Sequence, residues 1–212
     1  VQGATINPDN NSASINPKYG SVVKYNSHFM PTEELVKFIK RYETFHEGWQ
    51  DDGYGNPTTG WGFKVTPELK RKWPNGLHMK KDANGRMSCP EADNYLIHYI
   101  NGTIDDFVQR TPNIDLLPQD VKNALYDIYY NIGAKKYSNA KSLQKALQDY
   151  KKTKNIKNII NNMRFAKCNS GVSLGLQRRS SDRQEMAMYG DYDRDEYKTF
   201  KDVQMTRNQN HR

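Results

Sequence analysis

The chain has 212 residues, enough for one domain with tails or for two small lobes that share a long helix. Apolar residues make up 35%, and no apolar run approaches the roughly 20 residues a membrane-spanning helix needs, which excludes a membrane span. The net charge of +8 favours anionic partners, and the two cysteines, Cys89 and Cys168, form no metal-type spacing and read as free thiols unless the fold brings them together.

Residues 1 to about 29 are rich in Asn, Ser, Pro and Gly without a helical or strand period, so they read as a linker or irregular arm. No secretory signal pattern is legible there, and a start at Val1 rather than Met is what is expected if something upstream was removed or never included. Leu35, Val36, Ile39 and Tyr42 then fall at helical spacing. Pro31, Thr32, Glu33 and Glu34 suit its first turn, where acids meet the positive end of the dipole, and the helix is expected to end near Gly48. From 49 to 65, glycines interrupt aromatic and Thr positions, the composition of short strands joined by tight turns.

Ser88 and Glu91 have capping-box spacing around Pro90, and a long helix is expected from there to about Arg110. Val121, Leu125, Ile128 and Ile132 form the stripe of a helix that begins near Pro118 and stops at Gly133. Further helices are expected at about 141–150, 155–164 and 173–189. The stretch 191–212 reads as a polar tail with one short helix. The organisation is thus an arm (1–29), a main domain (30–190) and a tail (191–212). The fold class is α+β, mainly helical: a small sheet lobe and a helical lobe. Between Lys135 and Arg179 stand twelve Lys or Arg and one acid, Asp149, either a solvated helical surface or a basic face turned to an anionic partner.

The chemistry concentrates in Glu43-Thr-Phe-His-Glu-Gly-Trp-Gln-Asp-Asp52-Gly-Tyr-Gly-Asn-Pro-Thr58. Glu43 falls near the end of a helix, beside its apolar stripe, where partial desolvation raises a carboxyl's pKa and suits a general acid. Asp52 falls in a Gly-rich polar turn, where a carboxylate stays ionised. Two carboxyls in contrasting environments suit a glycosidase pair, although Glu43 alone also reads as an ordinary helix-surface acid.

The spacing Glu43-x8-Asp52-x5-Thr58, followed by Thr59-Gly-Trp-Gly-Phe63, resembles the catalytic segment of phage-type lysozymes, glycoside hydrolase family 24. Leu125-Tyr-Asp-Ile-Tyr-Tyr-Asn-Ile-Gly133, Ser142-Leu-Gln-Lys-Ala-Leu147 and Gly175-Leu-Gln-Arg-Arg-Ser-Ser-Asp-Arg-Gln-Glu185 resemble later blocks of that family in the correct order. The resemblance implies a two-lobed lysozyme-like fold and a muramidase that cuts the β-1,4 bond between N-acetylmuramic acid and N-acetylglucosamine. Glu43 is then the acid, while Asp52 and Thr58 position and activate a water or stabilise the oxocarbenium-like centre. It implies a phage lysin, a tail lysozyme or a secreted antibacterial effector, acting on the wall in the periplasm of a target bacterium. The partners expected are glycan strands and an immunity protein or delivery-machine component, with a monomeric catalytic domain. No metal or organic cofactor is implied, because acid, base and water suffice.

Tyr130, Asn131 and Ser142 are candidate substrate-binding residues. Their alternatives are a core position for Tyr130, helix-end shaping for Asn131 with Gly133, and an N-terminal cap for Ser142. Arg178 and Arg179 read as structural, paired with acids between lobes, or as contacts to anionic wall. Glu47, read on the same helix as Glu43, lacks the right spacing, and His46 reads as a surface or packing residue. Phe63 stands where the family has a structural His. The basic stretch 64–87, with Trp73-Pro-Asn-Gly76, reads as an added loop at the cleft edge. The rival readings are a lytic transglycosylase, which lacks the Asp-x5-Thr partner, and a non-catalytic wall-binding module. Nucleic-acid binding has only charge in its favour.

Overall fold

The computed structural model describes residues 13–16, 21–24, 26–53, 55–168, 171–194 and 199–210. The chain divides into two compact units, Val1–Tyr25 with Val36–Thr103, and Asn26–Leu35 with Ile104–Arg212. Within the stretch read as an irregular arm, β1 (Ala13–Asn16) pairs antiparallel with β2 (Ser21–Lys24).

Helix α1 (Glu33–Glu43) carries Glu33 and Glu34 in its first turn and buries Leu35, Val36, Phe38 and Ile39. It ends five residues before the expected Gly48, because Thr44 takes a left-handed φ of 56° and the chain turns into a strand. The three-stranded sheet of the first unit is β3 (His46–Asp51), β4 (Pro57–Gly60) and β5 (Phe63–Lys64), antiparallel in that order. It occupies the segment where glycines and aromatics foretold strands.

The basic stretch after β5 is built rather than loose. Thr66 caps α2 (Pro67–Lys72) by accepting the Leu69 N–H at 3.1 Å. Trp73, read as part of an edge loop, is 5% exposed; its indole N–H donates to Glu91 Oε1 at 2.6 Å. Its ring centroid lies 5.0 Å from Tyr95 and 6.3 Å from Phe63. Phe63 is therefore buried against Tyr95, at 4.6 Å, and Trp73. Past Trp73, Gly76 has φ +74°, and a Cβ there would stand 2.6 Å from the Gly48 Cα, so only glycine lets the segment lie against β3. The Gly48 N–H then donates to the Leu77 carbonyl at 2.8 Å.

Strands β6 (Lys80–Lys81) and β7 (Met87–Ser88) form a further antiparallel pair. Ser88 is thus a strand residue, and α3 (Pro90–Gln109) opens with the Cys89 carbonyl accepting the Asp93 N–H at 3.1 Å. The expected capping box does not form, since Glu91 serves Trp73 instead. Cys89 is a buried free thiol; the Cys168 side chain lies outside the described residues.

The second unit has a 3-10 turn at Ile114–Leu116 and then α4 (Gln119–Ile132), capped at Gly133 with φ 86°. It continues through α5 (Ala134–Ser138), α6 (Lys141–Thr153), α7 (Ile156–Asn161), the pair β8 (Lys167–Cys168) and β9 (Gly171–Val172), α8 (Leu174–Tyr189) and α9 (Phe200–Asn210). Phe107 lies 5.2 Å from both Phe29 and Tyr126, and 5.6 Å from Tyr129, in an aromatic core that begins inside the stretch read as the arm. Phe200 of the polar tail is buried near Tyr189, at 6.3 Å. Among the described residues no helix is long and apolar enough to cross a membrane.

Candidate active site

Glu43 is the last residue of α1 and is half-buried. Gly62, in the turn between β4 and β5, stands directly behind its carboxylate. A Cβ on Gly62 would lie 2.5 Å from Glu43 Oε2, so the missing side chain is what admits the acid there, and φ +81° suits glycine as well. The Tyr99 hydroxyl is held above its ordinary range by desolvation first, then by the charges of Tyr95 and Glu43. Beside Gly62, the Trp61 indole donates to Asp93 Oδ1 at 2.9 Å and meets Phe45 edge-on at 5.1 Å. Asp93 also holds Lys40, at 2.8 Å, so α1, the turn and α3 are tied at one carboxylate.

Asp52 lies in the turn between β3 and β4 and is half-buried. Its N–H donates to the Asn56 carbonyl at 2.9 Å. Its Oδ1 accepts the Asn56 N–H at 3.1 Å, and its Oδ2 accepts Asn56 Nδ2 at 3.3 Å. Its neighbour Asp51 accepts the N–H groups of Gly53 and Gly55 at 2.7 and 3.2 Å. Two successive aspartates thus fold the turn from its own backbone donors.

Thr58 sits on β4 opposite Gln50 and is 3% exposed. Its hydroxyl donates to the Gln50 carbonyl at 3.4 Å, and His46 Nδ1 stands 3.2 Å from the same oxygen. Sequence reasoning read His46 as a surface or packing residue, not as a partner of Thr58. The one local signal is Gly48, which breaks the strand period between His46 and Gln50. Glu47 is a β3 residue and does not share the helix of Glu43; its carboxylate accepts the Met79 N–H at 3.0 Å and faces His78 Nδ1 at 3.1 Å.

Tyr130, Asn131 and Ser142 belong to the second unit. Tyr130 and Asn131 are half-buried at the end of α4, and Asn131 Oδ1 accepts Arg183 Nη2 at 3.2 Å. Ser142 is exposed; the cap of α6 is Ala140, so the capping alternative for Ser142 falls away. Arg179 is buried and pairs with Asp127, an acid of its own unit, at 2.7 Å, with Arg183 on the other carboxylate oxygen at 2.8 Å. Desolvation pushes the Asp127 carboxyl up, but the two guanidiniums outweigh it and hold it below its ordinary range. A shallow surface groove on the first unit is lined by Lys72, Glu91, Asn94, Tyr95 and His98, none of them a candidate residue.

The profile of the family described as phage lysozyme matches residues 40–183. Among solved structures, the chain is similar to an endolysin from Escherichia coli O157:H7 phage FAHEc1, with 17% identity and a TM-score of 0.56 over 77% of this chain and 96% of that one. It is also similar to the muramidase domain of SpmX from Asticaccaulis excentricus, with 18% identity and a TM-score of 0.54 over 76% and 98% of the respective chains. No curated protein matches.

Proposed function

Since this chain belongs to the phage lysozyme family and is a lysozyme-type glycoside hydrolase acting on peptidoglycan, we propose that it cuts the β-1,4 bond between N-acetylmuramic acid and N-acetylglucosamine with Glu43 as its acid. The observation that carries this reading is the Glu43-x8-Asp52-x5-Thr58 spacing inside the matched residues, set on a helix end, a β-turn and the strand that follows.

In this reading Glu43 gives its proton to the glycosidic oxygen as that bond breaks. Asp52 takes a hydrogen of the attacking water, and Thr58 directs the water at the anomeric carbon. Tyr130, Asn131 and Ser142 are the residues proposed to contact the glycan. The setting is a phage lysin, a tail lysozyme or a secreted antibacterial effector, met by an immunity protein or a delivery component in the periplasm.

Purified protein is expected to release soluble fragments from peptidoglycan. Glu43→Gln, which keeps shape but carries no acidic proton, is expected to release them about a hundredfold to ten-thousandfold more slowly. Comparable release by the variant refutes the assignment. Mass spectrometry of the fragments separates hydrolysis from transglycosylation, which leaves anhydro-muramyl ends.

A further inference from the structure

We infer that His46 is a positioning residue for Thr58, holding its hydroxyl as a hydrogen-bond acceptor toward the attacking water. The inference rests on the role proposed for Thr58 and adds a residue to it.

A hydroxyl has one proton to give and two lone pairs to offer, and left alone it rotates. Thr58 Oγ1 has two partners inside the protein: the Gln50 carbonyl at 3.4 Å, which accepts, and His46 Nδ1 at 3.2 Å, which accepts or donates according to the tautomer. If Nδ1 is bare, it takes the hydroxyl proton and both lone pairs stay available. If Nδ1 carries hydrogen, it donates to Oγ1, the hydroxyl proton goes to Gln50, and one lone pair remains. In either case the proton is spent inward, and what the hydroxyl offers outward is an acceptor. A nucleophilic water needs that, because its hydrogens must be accepted before its own lone pair faces the anomeric carbon.

The fold is arranged to keep the ring there. The β3–β4 register runs from His46 opposite Gly60 to Gln50 opposite Thr58, four steps along β3 against two along β4. The surplus is a bulge at Gly48, whose φ is +64° and whose N–H is taken by the Leu77 carbonyl. The His46 carbonyl accepts the Thr59 hydroxyl at 3.4 Å, and Thr59 Oγ1 accepts the Leu77 N–H at 2.7 Å. Bulge, ring and buried hydroxyl form one connected unit.

The test is a set of variants assayed for kcat and KM on soluble peptidoglycan fragments: His46→Phe, His46→Asn, Thr58→Val and the Phe/Val double. Phe keeps a ring without nitrogen; Asn places a polar atom at the same number of bonds from the backbone as Nδ1. His46→Phe is expected to lower kcat about tenfold with KM within about twofold, and His46→Asn to return most of it. In the Thr58→Val background, His46→Phe is expected to change nothing further. Equal losses in Phe and Asn, undiminished kcat in Phe, or losses that simply multiply in the double variant overturn the inference while the role of Thr58 stands. Full kcat in Thr58→Val alone overturns that role, and this inference with it. His46→Ala replaces His46→Phe if the larger ring prevents folding.

Discussion

At the residue scale, a glycine without chemistry of its own decides whether the proposed acid has room. Gly62→Ala adds a methyl 2.5 Å from Glu43 Oε2 at a positive φ, so both backbone strain and collision follow. Gly53→Ala is a matched control: φ is +88°, but nothing lies within 4 Å of the added methyl. Both variants are expected to lose about 1–2 kcal/mol of stability from the backbone. Gly62→Ala alone is expected to lose about tenfold or more in kcat, because its methyl displaces the carboxylate. A kcat unchanged in Gly62→Ala, measured beside thermal melts of both proteins, removes Gly62 from the site. Glu43, Asp52 and Thr58 could be proposed from the sequence because their spacing is local and linear. Gly62 and His46 could not, because their partners are set by a turn and a bulge that residue types do not specify.

At the element scale, apolar spacing marks helices well and their ends poorly. The stripes of α3, α4 and α6 are periodic, whereas the end of α1 is set by one left-handed threonine, and the start of α3 by Glu91 being drawn to Trp73. Helix α8 is the harder case. Arg179 through Ala187 are all buried, and most of them are polar, so hydropathy cannot tell which face is inside. Asp127 of α4 ties this helix down through its two guanidinium partners, Arg179 and Arg183. Asp127→Asn leaves two buried cations short of a counter-charge and is expected to cost about 3–5 kcal/mol, read from denaturant midpoints. The pH dependence has a definite sign. The carboxyl sits lower in the folded chain than in the unfolded one, so its contribution is present above the unfolded value and drains away as pH falls through the folded one. The wild type is therefore expected to lose stability in acid more steeply than Asp127→Asn. Parallel acid titrations of the two refute the linkage.

At the scale of the whole molecule, charge is the property that composition foretold and no single contact explains. Ten Lys or Arg side chains between Lys135 and Lys167 are exposed, and the one acid among them, Asp149, is taken by Lys145 at 3.2 Å. On α6, Lys141, Lys145 and Lys152 recur on the side away from the buried Leu143, Ala146 and Leu147. Such a surface does little for folding, since exposed like charges are screened, but it attracts an anionic wall over distances of about 10 Å at 0.1 M salt. Lysis of intact sacculi is accordingly expected to slow by about tenfold as salt rises through the range that shortens this reach. Cleavage of a short soluble oligosaccharide of alternating N-acetylglucosamine and N-acetylmuramic acid, which carries little charge, should respond far less. Reversing the three α6 lysines to Glu should flatten the salt slope on sacculi and leave the oligosaccharide rate alone, because these side chains lie outside the proposed chemistry. An unchanged slope in that triple variant would mean that the cations are only a solvated helix face.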